Sequence, residues 1–360
     1  MKNKYRVIGL MSGSSMDGVD IACCEFEYLA EKWDWKIIAA TTIPYTEQWR
    51  VRLAYLNQQT AENFHKTHVF YGHYLGMLVK DFLAAHQLMV DFVASHGHTI
   101  FHRPELGYTA QIGDGAALSA ICGLPVVSDF RSMDLALRGQ GAPLVPVGDV
   151  LLFGDYDACL NLGGISNISY QQDGKLIAYD ISPCNIVLNR VARWLGMPYD
   201  AEGQLASSAE VDPDLLGELS ELPYYSYQGA KSLGREWINE EFWPIVKMYA
   251  DVSEVEKMAT LNLHIAKQIA NVVNKLGLNR VLVTGGGAFN KTLLANLGSN
   301  SKAQFEVPQT ELVNFKEALI FAFLGVLRIR NQENVLSSVT GAKHNHVAGA
   351  LYGNFNSFIN

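Results

Sequence analysis

Cysteine is scarce in this sequence: five among 360 residues, an odd number, none in a C-x-x-C pair. Neither a disulfide framework nor a zinc ribbon is expected. Positive charge is also in short supply. Lys and Arg total 28 against 36 Asp and Glu, a formal charge of −8, which argues against a protein that grips nucleic-acid phosphates or a basic membrane surface. Long apolar runs are missing; Glu317–Val326 (EALIFAFLGV) comes closest and is too short to cross a bilayer. The opening residues, MKNKYRVIGLMSGSSMDGVD, reach glycine and polar side chains before an apolar stretch can build, so no ordinary signal peptide is expected. What is present is apolar bulk. Hydrophobic residues make up 49% and charged residues 18%, enough for a sizeable core and too apolar for global disorder. A soluble cytoplasmic protein of about two domains, or one large one, is expected.

The pattern opens on strands. Tyr5–Met11, Val19–Glu27 and Trp35–Ile43 read as a meander, because the turn Ser12–Gly18 is too short to hold a crossover helix. Ala61–His86 has helical spacing, Val90–Ser95 and Val126–Phe130 read as strands, and Ala116–Cys122 as a short helix. The Gly- and Pro-rich stretch Leu137–Val147 is the best candidate for a crossing between domains. The layout then repeats. Ala158–Gly163, Ile168–Gln171 and Leu176–Ile181 are expected strands, followed by the helix Asn185–Leu195. Helices are expected at Leu215–Leu219, Glu236–Tyr249, Val255–Leu276, Asn290–Leu297 and Phe315–Ile329, with a strand at Val281–Thr284. The last thirty residues show no clear element.

Three glycine turns follow predicted strands: Ser12–Gly18, Gly163–Ser166 and Gly285–Gly287. Glycine lets backbone amides approach a phosphate, although each turn alone could be a tight turn and nothing more. Common phosphate motifs fail here. Gly13 to Gly18 has P-loop glycine spacing, but Val19 and Asp20 stand where Lys and Ser or Thr belong. Gly139–Leu144 (GQGAPL) lacks the third glycine of a dinucleotide fingerprint. A Ser-, Gly- and Asp-rich hairpin is another way to hold phosphate, with Asp17 and Asp20 able to orient a magnesium ion's water.

Hairpin phosphate loops in two similar halves are the plan of sugar kinases, Hsp70 chaperones and actin. Leu10–Asp20 (LMSGSSMDGVD) narrows this: the chain resembles the 1,6-anhydro-N-acetylmuramic acid kinase family of bacterial cell-wall recycling. The resemblance continues in order through Ser95–Arg103, Gln111–Leu118, Val127–Met133, Arg138–Val145, Asn161–Ser169, Tyr179–Asn185 and Thr284–Asn290. It implies an α/β, two-lobed sugar kinase/Hsp70/actin-like (ribonuclease H-like) fold with a cleft between the lobes, ATP and Mg2+ as cofactors, an anhydro amino sugar as substrate, and a homodimer. Residues 1–140 with 338–360 would form the N-terminal lobe, with the sugar site and first phosphate hairpin. Residues 141–337 would form the C-terminal lobe, with the second hairpin and the adenosine site. In that scheme Gly13, Ser14, Ser15, Met16, Asp17, Gly18, Val19 and Asp20 take the ATP phosphates, with Asp17 and Asp20 on the metal. Gly163 and Gly164 form the second hairpin, and Gly285, Gly286 and Gly287 lie at the adenosine end. The chain departs from the usual family pattern at Ser15, Met16, Ile181, Ser182 and Cys184, while Asp180, Pro183 and Asn185 remain.

The family reaction opens an acetal with water and phosphorylates the released oxygen. One carboxylate base suffices, because phosphoryl capture of the leaving oxygen replaces the acid an ordinary glycosidase uses. Asp180, at a predicted strand end before Pro183, is assigned as that base; the residues alone equally allow a carboxylate that satisfies helix amides. Asn185 is assigned to the sugar with it. His96, His98 and His102 do not have zinc-protease spacing, and His96 is the candidate for sugar hydroxyls. Asp129 and Arg131 flank another strand end, where Arg131 could take a lactyl carboxylate or pair with Asp129. Glu317 could be a site acid or could suit the dipole of a helix that it opens. Two alternatives stay open at this point: a kinase for an ordinary sugar hydroxyl, and an actin- or Hsp70-like ATPase.

Overall fold

A computed structural model describes residues 2–13, 16–227 and 231–359. The described strands are β1 (Lys4–Ser12), β2 (Gly18–Leu29), β3 (Lys32–Pro44), β4 (Phe92–Arg103), β5 (Tyr108–Ile112), β6 (Val126–Ser128), β7 (Ala158–Leu162), β8 (Ile165–Gln172), β9 (Lys175–Pro183), β10 (Arg280–Thr284), β11 (Gln304–Glu306) and β12 (Ala350–Tyr352). They form two sheets, ordered β12-β6-β4-β1-β2-β3 and β11-β10-β7-β8-β9, with β5 paired to β4. In the first sheet β1, β2 and β3 are an antiparallel meander, and β4 and β6 run parallel to β1. The second repeats this with β7, β8 and β9, then β10 and β11. Both sheets thus have one strand order and one set of directions, the duplicated ribonuclease H-like plan of the two-lobed sugar kinase/Hsp70/actin class.

The chain divides into two compact units, Met1–Leu152 with Phe315–Asn360, and Phe153–Asn314. The boundaries expected at 140/141 and 337/338 therefore move to 152/153 and 314/315. The reason is packing. The helix Val145–Leu152 belongs to the first unit: Trp35 Nε1 donates to the Leu152 carbonyl at 3.0 Å, and Asp149 pairs with Lys316 at 2.8 Å with both side chains buried. The helix Thr310–Ile329 lies against β1 and β4, so close that a Cβ on Gly9 would run into the Ala318 carbonyl and one on Gly325 would stand 2.7 Å from Ala94 Cβ. The other face of the sheet buries Ile8, Leu10, Val19 and Ile21 with Tyr71, Leu75, Val79 and Phe82 of the helix Ala61–His86.

In the second unit, Leu160, Leu162 and Ile168 pack with Val187, Leu188 and Val191 of the helix Asn185–Trp194 and with Met258, Leu261, Ile265 and Ile269 of the helix Glu254–Leu276. The latter starts at a capping box of Ser253 and Glu256 and ends at Gly277 in the left-handed region, where glycine escapes the Cβ penalty. The helix expected over Glu236–Tyr249 is present from Arg235 to Met248, widened to a π-helical turn at Ile238–Phe242, where Pro244 has no N–H to continue the ladder. β4 runs to Arg103, past the expected Ser95, because its second half pairs with β5.

A charge cluster crosses the first meander. Glu25 faces Arg6 on β1 and Lys36 on β3 in direct register. Its carboxylate meets Lys36 at 2.8 Å, Lys4 at 2.9 Å and Arg6 at 2.9 Å, and is 7% exposed. Lys36, then Lys4 and Arg6, outweigh burial and pull the carboxyl down to about 2. A depressed carboxyl stabilises the fold above its unfolded pKa, and that contribution fades as pH falls toward the folded value. With the cations half-exposed and screened, Glu25→Gln is expected to lower stability by about 1–2 kcal/mol at pH 7. Urea melts should show the gap from wild type narrowing between pH 6 and pH 3.

Candidate active site

In the first unit Gly13, Met16 and Asp17 lie between β1 and β2, and Gly18, Val19 and Asp20 open β2. Ser14 and Ser15 lie outside the described residues. Met16, at φ 57°, donates its N–H to the Gly13 carbonyl at 3.3 Å, closing the turn. Gly18 is needed sterically, since a Cβ there would run into the Ile43 carbonyl. Val19 is fully buried, so its side chain anchors the hairpin in the core. Asp17 is exposed, and Asp20 is half-buried with Oδ1 accepting from Thr42 Oγ1 at 2.5 Å. Burial raises the Asp20 carboxyl, Thr42 opposes this, and the charge of Asp17 adds to it.

Glu317 belongs to the same unit. The helix begins at Thr310 and not at Glu317, so Glu317 is beyond the first turn and the helix-dipole explanation falls away. It keeps solvent access, yet the protein packed around it raises its carboxyl; Lys316 and Arg131 oppose that rise, and Asp20 and Asp149 add to it. Arg131 donates from Nε to His96 Nε2 at 2.9 Å and from Nη1 to the Gly141 carbonyl at 2.5 Å. Burial lowers its pKa to about 10, which leaves it a cation at neutral pH. Because Arg131 can only donate, His96 Nε2 accepts and the ring proton sits on Nδ1, 3.0 Å from the Gly97 carbonyl. Both His96 nitrogens are therefore engaged in a ring that is 5% exposed. In this arrangement His96 holds Arg131. Asp129, at φ 58°, is exposed, and its Oδ1 accepts the Ser132 N–H at 3.2 Å.

The second unit places Gly163 and Gly164 between β7 and β8. The Gly163 carbonyl accepts the Asn185 N–H at 3.1 Å, and the Gly164 carbonyl accepts Cys184 and Ile186 N–H at 2.9 and 3.0 Å. In a planar trans peptide the N–H opposes the C=O, so the Gly164 N–H points away from that helix. Asn185 Nδ2 donates to the Leu162 carbonyl at 2.9 Å, and a Cβ on Gly287 would stand 3.4 Å from Asn185 Oδ1. Asn185 thus sits with the two glycine turns. Gly285, at φ 82°, has no room for a Cβ beside Asn161 Oδ1, whereas Gly286 is exposed and open.

Asp180 lies on β9 at a bulge: Ser166 pairs with Ser182 and Asn167 with Asp180, leaving Ile181 as the extra residue. A bulge re-aims the side chains beside it. Oδ2 of Asp180 accepts the Leu233 N–H at 2.9 Å, its carbonyl accepts Tyr224 OH at 2.7 Å, and its N–H donates to the Lys231 carbonyl at 3.1 Å. Burial raises the carboxyl, and the Leu233 N–H opposes the rise. Tyr224, Lys231 and Leu233 were not anticipated from sequence, since their segment has no periodicity. Ser182, a departure from the family pattern, is fully buried with its hydroxyl on the Pro183 carbonyl at 3.1 Å and near Tyr225 OH at 3.3 Å.

The family model for anhydro-N-acetylmuramic acid kinase matches residues 5–354. A protein of Hydrogenovibrio crunogenus with that name is 33% identical over 96% of this chain and 97% of its own length. Another with the same name, from Paramagnetospirillum magneticum, is 35% identical over 93% of this chain and 96% of its own length. With a family match and full-length relatives over nearly all its residues, the chain belongs to the anhydro-N-acetylmuramic acid kinase family.

Proposed function

We infer that this chain is an ATP-dependent kinase that hydrolytically opens the 1,6-anhydro ring of 1,6-anhydro-N-acetylmuramic acid and phosphorylates the 6-oxygen, giving N-acetylmuramic acid 6-phosphate and ADP. Within a chain of this family, the observation that carries the reading is Asp180: a carboxylate re-aimed by a bulge, fixed by the Leu233 N–H, and raised by burial. In this reading Asp180 takes a proton from water as the water oxygen bonds to the anomeric carbon. The bond from that carbon to the 6-oxygen breaks, and the 6-oxygen bonds to the γ-phosphorus as ADP leaves. Capture of the oxygen by phosphorus removes the need for a protonating acid.

The Gly164 N–H, turned from its helix, suits a phosphate oxygen, as does the glycine-bearing turn Gly13–Gly18. In the turn Gly285 to Gly287, the exposed Gly286 leaves backbone space for the adenosine. Arg131 keeps its outer guanidinium end for the lactyl carboxylate, with Asp129 for a sugar hydroxyl and Glu317 beside the reacting sugar. Asn185 serves the sugar site by holding the second hairpin in place. The residues also fit a magnesium ion. Asp17 and Asp20 offer hard oxygen donors, and the Asp20 carboxyl, raised by burial, is raised further by the charge of Asp17. Among the described residues no group of three or more His, Cys, Asp or Glu is placed to hold a metal, which suits an ion shared with phosphate oxygens. Bound there, magnesium would neutralise phosphate charge during transfer. No helix among the described residues is long and apolar enough to cross a membrane; a cytoplasmic location is part of this reading. A homodimer completes it, testable by sedimentation.

Product mass after reaction with Mg-ATP and the anhydro sugar in heavy-oxygen water tests the proposal. The expected product is a sugar phosphate carrying one solvent oxygen from the first turnovers, before anomeric exchange. ADP without a modified sugar overturns the reading, and a phosphorylated sugar with its anhydro ring intact points to an ordinary sugar-hydroxyl kinase.

A further inference from the structure

Four buried polar side chains meet behind the first hairpin. Ser12 Oγ contacts Tyr45 OH and lies 2.8 Å from His98 Nδ1, and Tyr45 OH lies 2.5 Å from Tyr71 OH. Ser12, Tyr45 and His98 are each 4% exposed, and Tyr71 is fully buried. Burial holds the two tyrosines and the histidine neutral, raising Tyr45 to about 12 and Tyr71 well above the usual tyrosine range, and lowering His98 to about 4. Tyr45 reaches the hairpin a second time, because its backbone N–H donates to the Asp17 carbonyl at 3.2 Å. One residue thus binds both stems of the turn: Ser12, the last residue of β1, and Asp17, the residue before β2.

The second unit solves the same problem at the same register. Gly18 pairs with Pro44, and Ile165 with Pro183, so Asp17 and Gly164 are equivalent positions, as are Tyr45 and Cys184. Cys184 N–H donates to the Gly164 carbonyl as Tyr45 N–H donates to that of Asp17. The other stem, Leu162, ends β7 as Ser12 ends β1, and its carbonyl is bound by the Asn185 amide. In both units the residues just after the terminal proline of the third strand clamp both stems of a glycine hairpin. The second unit does it with a helix N-terminus and an Asn. The first does it with one tyrosine.

We propose that Tyr45 is a positioning residue for nucleotide: its hydroxyl on Ser12 and its N–H on Asp17 set the shape of the first hairpin for the phosphates. The inference rests on the reading of Gly13–Asp20 as a phosphate hairpin. Tyr45→Phe keeps the ring packed against Tyr71 and Tyr74 and removes only the hydroxyl. Loss of one buried hydrogen bond at a shaped site is expected to weaken MgADP binding and raise the KM for MgATP by about tenfold, with the KM for sugar within about twofold. Hydrogen–deuterium exchange of the ligand-free protein should speed up at the hairpin amides. Tyr74→Phe removes a hydroxyl from a ring that packs on Tyr45 and leaves the contacts to Ser12 and Asp17 in place, so it should leave nucleotide binding and hairpin exchange near wild type. If the two variants behave alike, or Tyr45→Phe binds MgADP like wild type, the inference is overturned. Should Tyr45→Phe not fold, Ser12→Ala breaks the same contact and replaces it in each comparison. Asp20→Asn separates the two claims. If that variant keeps wild-type MgADP affinity and MgATP KM, the hairpin reading itself fails; if it loses them while Tyr45→Phe does not, only the tyrosine's role fails.

Discussion

Asp180→Asn should turn over about 10²- to 10⁴-fold more slowly than wild type while binding both nucleotide and sugar. The carboxamide is nearly isosteric, and its oxygen can still accept the Leu233 N–H, so the bulge and the surrounding segment have no reason to move. What disappears is the lone pair that takes the water proton. The loss should therefore fall on kcat, with KM values changing little. The wild-type pH profile gives an independent reading. Burial raises the Asp180 carboxyl above the usual aspartate range, so the acid limb of kcat should lie above about pH 4 and activity should fall as pH drops through it. That limb should vanish in the Asn variant. A coupled ADP-release assay with both substrates measures all of this, and a variant within about tenfold of wild type would remove Asp180 from the role.

The largest expected effect on stability comes from one added methyl. Gly9→Ala puts a Cβ into the Ala318 carbonyl, a backbone atom of a helix that cannot rotate aside. Restricting the unfolded chain favours alanine by about 0.4–1 kcal/mol. Pushing a helix off β1 costs about 3 kcal/mol or more and outweighs it. Thermal unfolding should show a drop of about 5–10 °C. Gly217→Ala is the matched control, because that glycine lies inside the helix Pro213–Ser220 with nothing within 4 Å of a new Cβ. There the same change should stabilise by about 0.5–1 kcal/mol.

Much of the fold was legible because its signals are local. The two meanders announce themselves by short apolar runs with turns too tight for crossovers, and the helix Ala61–His86 begins and ends where its spacing does. β5, β11 and β12 were not legible. Each is three to five residues long and is a strand only because a partner lies beside it: β4, β10 and β6 respectively. The site divides in the same way. Gly18, Asp20 and Gly164 carry their chemistry in residue type and turn spacing. Thr42, Tyr45 and Leu233 do not. Their parts depend on pairing across a sheet or on a return of the chain about fifty residues later, which no local pattern encodes. Arg131 was legible by type, but its protein partners were not, because the nearest charge in sequence, Asp129, is not the group its guanidinium reaches.

The first unit is built from two ends of the chain, Met1–Leu152 and Phe315–Asn360, while the second is one continuous piece. During synthesis this reverses the usual order. The second unit has all its strands and helices once residue 314 has left the ribosome, whereas the first still lacks the helix Thr310–Ile329 that seats on Gly9 and the strand β12 that covers the edge of β6. Until then the nascent chain carries an uncovered sheet face and an open parallel edge, the features that invite pairing with other chains. The N-terminal part of this enzyme is made first and finished last, so its exposure to misassembly is set by how quickly the final few dozen residues arrive.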